Sequence, residues 1–384
     1  MRGATSRILL LCVSTGLGLA VAEFAVRVFN LGPEIRPVYR ENFRLSENPS
    51  LGYELAPESP DGESRINSHG FRGSEVGLRK EAGTRRIAVI GDSISFGHDV
   101  TSRQAFSAVM QRNLNRRLAE SGVRYEVLNF GVTGYGATQA VESLRSLALA
   151  FDPDLVVYAY CLNDAQAYSL EMANLRALAT NAERGYLDRF ATDRLRVVVL
   201  ARYGLQLLTR AGRERGEEQF WHSDDPQFIA IRSGGYQGYY EGLYRDPASL
   251  QRVIDAFDAL AEVSQRESLP VLVVLFPLLI ELDRYTLVDV HQKLRAELES
   301  RSLGVLDLTE VYTDQFVEDP AGLAMDPLHP TVRGHRVAAL AVLYRLLADG
   351  FVDGKNADSF MKIEALSKRG SGLSTRVRRV MEGS

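Results

Sequence analysis

The sequence contains a serine and an acid–histidine pair in positions that suit nucleophilic catalysis. Ser93 follows the apolar run 87–90 in the triplet Gly-Asp-Ser, and Asp326 precedes His329 by three residues. A serine hydroxyl is a weak nucleophile until a base removes its proton. A histidine can act as that base, and a carboxylate can fix the histidine tautomer. These residue types predict Ser93 as nucleophile, His329 as base and Asp326 as its partner.

Acyl transfer also needs N–H donors for the negative charge that develops on the substrate oxygen. The Ser93 amide, the Gly134 amide and the Asn163 side chain can supply three such donors. Gly134 lies in the glycine-rich stretch 129–136, where a residue without a Cβ lets the backbone approach a substrate closely. Each of these features alone is common in turns. Their combination and their order along the chain are a more specific indication of a catalytic site.

An alternation of predicted strands and helices positions these residues. Apolar runs predict strands at 87–91, 125–130, 154–160, 271–276 and 304–308. Helical spacing is found at 106–120, 138–150, 247–267, 287–301 and 331–349. Such alternation favours an α/β fold with a parallel sheet covered on both faces. Ligands bind at the carboxyl ends of the strands in such folds, which is where the candidate residues lie.

Four motifs in this order resemble the SGNH hydrolase superfamily, also called GDSL-type esterases and lipases. They are IGDSISFG (90–97), NFGVTGYG (129–136), CLND (161–164) and DPLH (326–329). The resemblance covers about residues 85 to 348. It implies a flavodoxin-like three-layer α/β/α sandwich, Ser93 as nucleophile, and Asp326 with His329 as the base system. It also implies an oxyanion hole formed by Ser93, Gly134 and Asn163.

Two further features bear on the resemblance. Cys161 stands where the family usually has glycine, and a small buried thiol can occupy such a position as a compact apolar group. The segment INSHGFRG (66–73) resembles the lead-in to the first strand of many membrane-anchored bacterial members. The resemblance therefore implies that the protein is of the membrane-anchored bacterial type.

The first 30 residues have the pattern of a signal-anchor or a signal peptide. Arg2 and Arg7 precede the uncharged segment 8–22. This segment is shorter than the roughly 20 residues that span a bilayer, so an anchor would have to continue to residue 29. Alternatively, cleavage near Ala22 would release the protein. Both alternatives predict a catalytic domain outside the cytoplasm, anchored to the membrane or secreted into a compartment such as the periplasm.

The rest of the chain divides by composition. Residues 31–84 read as an extension of turns and short strands, and 85–350 as the hydrolase domain. Residues 165–246 interrupt the alternation with a cap-like insertion, in which a helix is predicted at 191–210 before an aromatic, glycine-rich stretch. Residues 351–384 are predicted to be a disordered basic tail.

Composition and motifs also argue against several classes of function. The chain has 384 residues and a net charge of −4, with acids and bases well mixed, so nothing favours nucleic acid as a partner. One of the two cysteines lies in the N-terminal apolar segment, which argues against a disulfide between them. No cluster has convincing metal-ligand spacing, and no nucleotide-binding fingerprint is present. We expect no cofactor.

The sequence therefore predicts a serine esterase that forms an acyl-enzyme on Ser93. Its ester substrate is expected to be an acylated glycan, a lipid or a small ester. Two alternatives stay open. The acyl group could pass to a glycan hydroxyl, which would make the protein an O-acyltransferase for an envelope or secreted polysaccharide. The same fold could instead serve as a non-catalytic glycan-binding protein.

Overall fold

The computed structural model describes residues 2–28, 43–57, 65–118, 122–167, 226–318 and 322–352. Contacts divide the chain into two compact units, one formed by 1–39 with 173–224 and the other by 40–172 with 225–384. In the first unit the described residues form helix α1 (Arg2–Val28). Within the described ranges, no helix has the length and apolar character needed to cross a membrane.

The second unit is built on a five-stranded parallel sheet. Its strands are β3 (Thr84–Gly91), β4 (Arg124–Asn129), β5 (Leu155–Cys161), β6 (Val271–Phe276) and β7 (Gly304–Asp307), and their order is β4-β3-β5-β6-β7. This is the flavodoxin-like order. The predicted α/β fold with a central parallel sheet is confirmed. A separate antiparallel pair, β1 (Phe43–Leu45) and β2 (Tyr53–Leu55), precedes the sheet in the chain.

Helices cover both faces of the sheet. They are α2 (Ser93–Phe96), α3 (Phe106–Arg117), α4 (Ala137–Ser146), α5 (Pro226–Arg245), α6 (Pro247–Glu267), α7 (Val288–Ser300), α8 (Thr309–Glu318) and α9 (Val332–Ala348). One core lies between the sheet and α3, α8 and α9, and the other between the sheet and α4 to α7. Every residue of β5 and β6 is buried, which explains why these strands read as unbroken apolar runs.

The structure differs from the sequence prediction at two helices. Helix α5 occupies the aromatic, glycine-rich stretch for which no helix was predicted, and it is kinked at Gly235. Burial of Tyr240 and Tyr244 in the core stabilises it despite its glycines, since packing outweighs intrinsic propensity. Helix α8 was also not predicted. The helix predicted at 191–210 and most of the tail predicted at 351–384 lie outside the described residues.

The chain order places a reversal of strand order at the carboxyl end of β3. Strand β3 lies between β4 and β5, and the chain leaves the ends of β3 and β5 toward opposite faces of the sheet. A ligand site forms at such a reversal of strand order. The segments that follow β3, β4 and β5 begin with the candidate residues of the first three motifs. The fold thus brings three distant stretches of sequence to one edge.

Candidate active site

The turn that carries Ser93 is shaped by its two neighbours. Gly91 has φ of +140°, and a Cβ at this position would lie 2.5 Å from the carbonyl oxygen of Ala159 on β5. Only glycine accommodates both constraints. Asp92 then caps α2, because its Oδ1 accepts a hydrogen bond of 2.9 Å from the Ile94 amide. The sharp turn leaves Ser93 as the first residue of α2, with only 5% of its surface exposed.

The structure brings Ser93, His329 and Asp326 into one chain of hydrogen bonds. The Ser93 Oγ lies 2.9 Å from Nε2 of His329, and Nδ1 of His329 lies 2.7 Å from Oδ2 of Asp326. The second carboxylate oxygen of Asp326 accepts from the amides of Leu328 and His329, each at 2.8 Å. The loop therefore holds the carboxylate against Nδ1. This arrangement places the Nδ1 proton toward Asp326 and leaves Nε2 free to accept from Ser93.

The electrostatic environment favours the protonated state that His329 reaches when it acts as a base. Burial acts to lower the pKa of His329, but the hydrogen bond and the charge of Asp326 outweigh it, so the pKa is raised above the ordinary value of 6.5. Burial acts to raise the pKa of Asp326, but its bonds to His329 and the loop amides outweigh burial and lower that pKa. Asp326 thus stays ionised and stabilises the imidazolium.

We expect Asp326→Asn to shift the pH profile of catalysis as well as its rate. Only neutral His329 can accept the proton of Ser93, so kcat/KM should rise with pH through the pKa of His329. Because Asp326 raises that pKa, its loss should move the inflection to lower pH. The plateau should fall by about 10²–10⁴-fold, since the tautomer is no longer fixed. The measurement is kcat/KM against pH for both proteins.

A second Asp–His pair in the same unit provides the control for this prediction. Nδ1 of His291 on α7 lies 3.1 Å from Oδ2 of Asp307 at the end of β7. Asp307→Asn should leave the inflection of kcat/KM unchanged, because this pair does not contact Ser93. An inflection that stays in place in Asp326→Asn, or moves equally in Asp307→Asn, would contradict the assignment of the pH dependence to His329.

Asn163 is held beside the serine by the carboxylate of Asp92. Nδ2 of Asn163, in the turn after β5, donates to Oδ2 of Asp92 at 3.0 Å. The same oxygen lies 3.4 Å from Ser93 Oγ, a weaker contact than the one to His329. A carboxylate only accepts, so it selects the amide orientation with Nδ2 toward it. Nδ2 carries two hydrogens, and the second remains for a substrate oxygen.

Gly134 lies in a loop that packs against the serine turn. The amide of Val132 donates to the Gly91 carbonyl at 3.1 Å, and Gly131 lies so close to Phe96 that a Cβ would come within 2.5 Å of its amide nitrogen. Gly134 itself has φ of +79°, a conformation that favours glycine. Within the described part of the chain, the amides of Ser93 and Gly134 donate to no protein acceptor. Both N–H groups are therefore available to a ligand.

His98 and Cys161 also lie near the site. The ring of His98 packs on that of His329, with centroids 4.5 Å apart. Burial, and then the neighbouring His329, lower the pKa of His98. Cys161 is fully buried at the end of β5, and burial raises the pKa of its thiol well above the ordinary value. A buried thiol of raised pKa packs as an apolar group and is a poor nucleophile.

Sequence reasoning missed three residues that support the site. Asp92 was noted only as part of the Gly-Asp-Ser triplet, although it caps α2 and holds Asn163. Arg72 contacts the serine turn, and Tyr53 contacts the loop of Gly134. The motif INSHGFRG contains Arg72 and was the available signal for it. No sequence pattern pointed to Tyr53.

No metal site was found in the described part of the chain, where no group of three or more His, Cys, Asp or Glu side chains could hold an ion. The residues at this edge of the sheet are a candidate nucleophile, a base with its carboxylate, and N–H donors. Such a set can carry out acyl transfer.

Comparison with protein families gives a match over residues 89–337 to the model described as GDSL-like Lipase/Acylhydrolase family. The chain belongs to this family. No curated protein matches the sequence. The GDSL-like match begins within β3 and ends within α9, so it contains all five predicted site residues. The β1–β2 pair and the motif at 66–73 lie before it.

Several solved structures are similar to this GDSL-like chain at low sequence identity. LAE5, an alpha/beta hydrolase from the metagenome of Lake Arreo, Spain, is 18% identical with a TM-score of 0.38, covering 67% of this chain and 93% of its own. TesA is 14% identical with a TM-score of 0.39, covering 68% and 98%. The acetyl xylan esterase AlAXEase is 13% identical with a TM-score of 0.35, covering 66% and 96%.

Proposed function

We propose that this GDSL-like hydrolase is a serine esterase that forms an acyl-enzyme on Ser93. The observation that carries the proposal is the continuous chain from Ser93 Oγ through His329 to Asp326, with distances of 2.9 and 2.7 Å. It meets the geometric requirement for a general base, which must lie within hydrogen-bond reach of the proton it removes. Membership of an acylhydrolase family is consistent with this chemistry.

The reaction would proceed in two steps. Nε2 of His329 takes the proton of Ser93 as Oγ attacks the ester carbonyl. The amides of Ser93 and Gly134 and the second N–H of Asn163 Nδ2 then stabilise the oxyanion. His329 returns the proton to the leaving alcohol, and the acyl group stays on Oγ. Water, activated by the same Nε2, attacks the acyl-enzyme, and the carboxylic acid leaves as Oγ recovers its proton.

The proposed substrate is a carboxylic ester, drawn from acylated glycans, lipids or small esters. The test is a panel of p-nitrophenyl esters from acetyl to palmitoyl, together with an acetylated oligosaccharide, assayed with the full chain in mild detergent. We expect turnover of at least one ester, with a preference for one acyl length. Absence of turnover across the panel, combined with absence of fluorophosphonate labelling, would contradict the proposal and favour a binding protein. Acetylation of an added glycan would show transfer rather than hydrolysis.

We also propose that the catalytic domain lies outside the cytoplasm. Support comes from the sequence, in which Arg2 and Arg7 precede an uncharged run. The test is cell fractionation of the full chain with N-terminal sequencing. Recovery in membranes after high-salt washing would indicate an anchor, and a mature N-terminus at Glu23 would indicate cleavage. An intact chain in the cytoplasmic fraction would contradict the proposal.

A further inference from the structure

The loop that carries Gly134 is held by a residue from outside the family match. The hydroxyl of Tyr53, on β2, donates to the carbonyl oxygen of Thr133 at 2.7 Å. Tyr53 is fully buried, and Thr133 is nearly so. The carbonyl of Thr133 and the N–H of Gly134 belong to the same peptide unit. Tyr53 therefore holds the peptide whose N–H is a proposed oxyanion donor.

This contact has a direct effect on the proposed donor. A trans peptide is planar, and its C=O and N–H point in opposite directions, so fixing the carbonyl of Thr133 also fixes the direction of the Gly134 N–H. A hydrogen bond to the carbonyl also polarises the peptide and strengthens its N–H as a donor. Preorganised donors stabilise a transition state better than donors that must reorient. The Tyr53 hydroxyl is placed to provide this preorganisation.

A second contact from the same N-terminal segment holds the turn of Ser93. The guanidinium of Arg72 donates from Nη1 to the carbonyls of Phe96 and Gly97, at 2.5 and 2.6 Å, and from Nη2 to that of Val100, at 2.6 Å. It also stacks on the Phe96 ring, 4.4 Å from the centroid. The carbonyls of Phe96 and Gly97 lie at the C-terminal end of α2, where a cation interacts favourably with the helix dipole. Ser93 is at the other end of the same four-residue helix.

Arg72 is itself fixed by the edge of the sheet. It is only 4% exposed, and its amide donates to the carbonyl of Asn129 at the end of β4, at 3.2 Å. The Asn129 side chain donates to the Ser95 carbonyl at 2.7 Å, so both residues support the same short helix. A buried cation is costly unless its donors are paired, and here the planar guanidinium reaches three carbonyls.

We propose that strand β2 and the motif at 66–73 are part of the catalytic unit, in which Tyr53 orients the 133–134 peptide and Arg72 fixes the Ser93 turn. Both are positioning residues, since each acts through a backbone group. The inference rests on the proposed function, because it concerns the same site. It predicts that losing either contact lowers kcat while leaving KM nearly unchanged, since the supported groups act in the transition state.

The reciprocal tyrosine pair provides a matched test of Tyr53. The hydroxyl of Tyr135 donates to the carbonyl of Tyr53 at 2.6 Å, and the two rings pack edge to face. Tyr53→Phe and Tyr135→Phe each remove a buried bond from a tyrosine hydroxyl to a carbonyl, but only the first removes a bond to the 133–134 peptide itself. We expect Tyr53→Phe to lower kcat about 10-fold or more with little change in KM. Tyr135→Phe should retain kcat within about threefold.

Arg86 provides the matched test of Arg72. It is equally buried, near the start of β3, and its guanidinium donates to the carbonyls of Leu78, Phe151 and Gly77 at 2.6 to 2.8 Å. Lysine keeps the positive charge, but its ammonium group cannot reproduce the planar set of N–H donors of a guanidinium. We expect both Arg72→Lys and Arg86→Lys to lower Tm, but only Arg72→Lys to lower kcat, by about 10-fold or more.

Two results would overturn the inference, and both differ from failure of the proposed function. The first is a normal kcat in folded Tyr53→Phe and Arg72→Lys. The second is an equal fall in kcat in each control, which would show general destabilisation. Circular dichroism and Tm establish folding for all four variants. If the wild-type chain hydrolyses no ester and does not label, the proposed function fails. If the wild type is active and the variants match their controls, only the positioning roles fail.

Discussion

Ser93→Ala should abolish ester hydrolysis and leave the fold intact. The substitution removes the Oγ that lies 2.9 Å from His329, and with it the atom that would form the acyl-enzyme. Loss of a nucleophile of this kind lowers kcat by about 10⁴-fold or more. Because alanine deletes a single oxygen from a turn held by Asp92 and Gly91, we expect Tm to change by only a few degrees. The measurement is steady-state turnover of the best ester in the panel.

Ser95 supplies the control for this prediction. Its Oγ is also buried in the same short helix, but it donates to the carbonyl of Ile90 at 2.9 Å instead of facing His329. Ser95→Ala therefore loses one buried hydroxyl without losing the nucleophile, and it should retain most of the wild-type activity. Turnover by purified Ser93→Ala near the wild-type rate would rule out Ser93 as the nucleophile, whatever the behaviour of Ser95→Ala.

Asn163→Ala should lower kcat by about 10²–10³-fold, the usual cost of removing one oxyanion donor. KM should change little, because the second N–H of Nδ2 is expected to bond fully only when charge develops on the substrate oxygen. The fold should survive, since Asn163 lies in a turn and, among the described residues, its side chain bonds only to Asp92. Steady-state kinetics with kcat and KM resolved separately are the measurement.

Asn115→Ala is the matched comparison. Asn115 on α3 makes two side-chain hydrogen bonds to the backbone of Tyr125, at 2.8 and 2.9 Å, away from the carboxyl ends of the strands. Its loss should lower the free energy of unfolding by about 1–3 kcal/mol without a specific fall in kcat. A near-normal kcat in folded Asn163→Ala would remove this residue from the site, and equal falls in both variants would assign the effect to stability.

The strands of the sheet could be predicted well, because a strand that is buried on both faces is an unbroken run of apolar residues. Strands β5 and β6 are apolar throughout, and the predicted bounds of β6 agree with the structure. Helix α6 was predicted from its helical spacing, and the structure shows its cap, since the Asp246 side chain accepts from the Ser249 amide at 2.9 Å. Helix α5 was not predicted, because its glycines and aromatic residues hide the helical period in the sequence. This helix depends on the packing of its aromatic rings into the core.

The reacting groups could be proposed from sequence because each stands at the end of a strand or before a helix. The contacts that support these groups could not be predicted from the sequence. The bond between Tyr53 and Thr133 joins residues 80 positions apart, and Arg72 reaches Val100 across 28 positions. Such contacts depend on the three-dimensional path of the chain. A tyrosine in a short strand has no local sequence pattern that marks it as a partner of the loop that carries Gly134.

The most direct test of the central claim is to locate the residue that a fluorophosphonate labels in the full chain. The probe reacts with a serine only when a base activates the hydroxyl and donors stabilise the developing negative charge. Tandem mass spectrometry of the digested protein would assign the adduct. The account predicts one phosphonyl adduct, on Ser93, which forms more slowly in Asn163→Ala and is absent in Ser93→Ala. An adduct on a different residue, or an unlabelled Ser93 in protein that turns over esters, would contradict it.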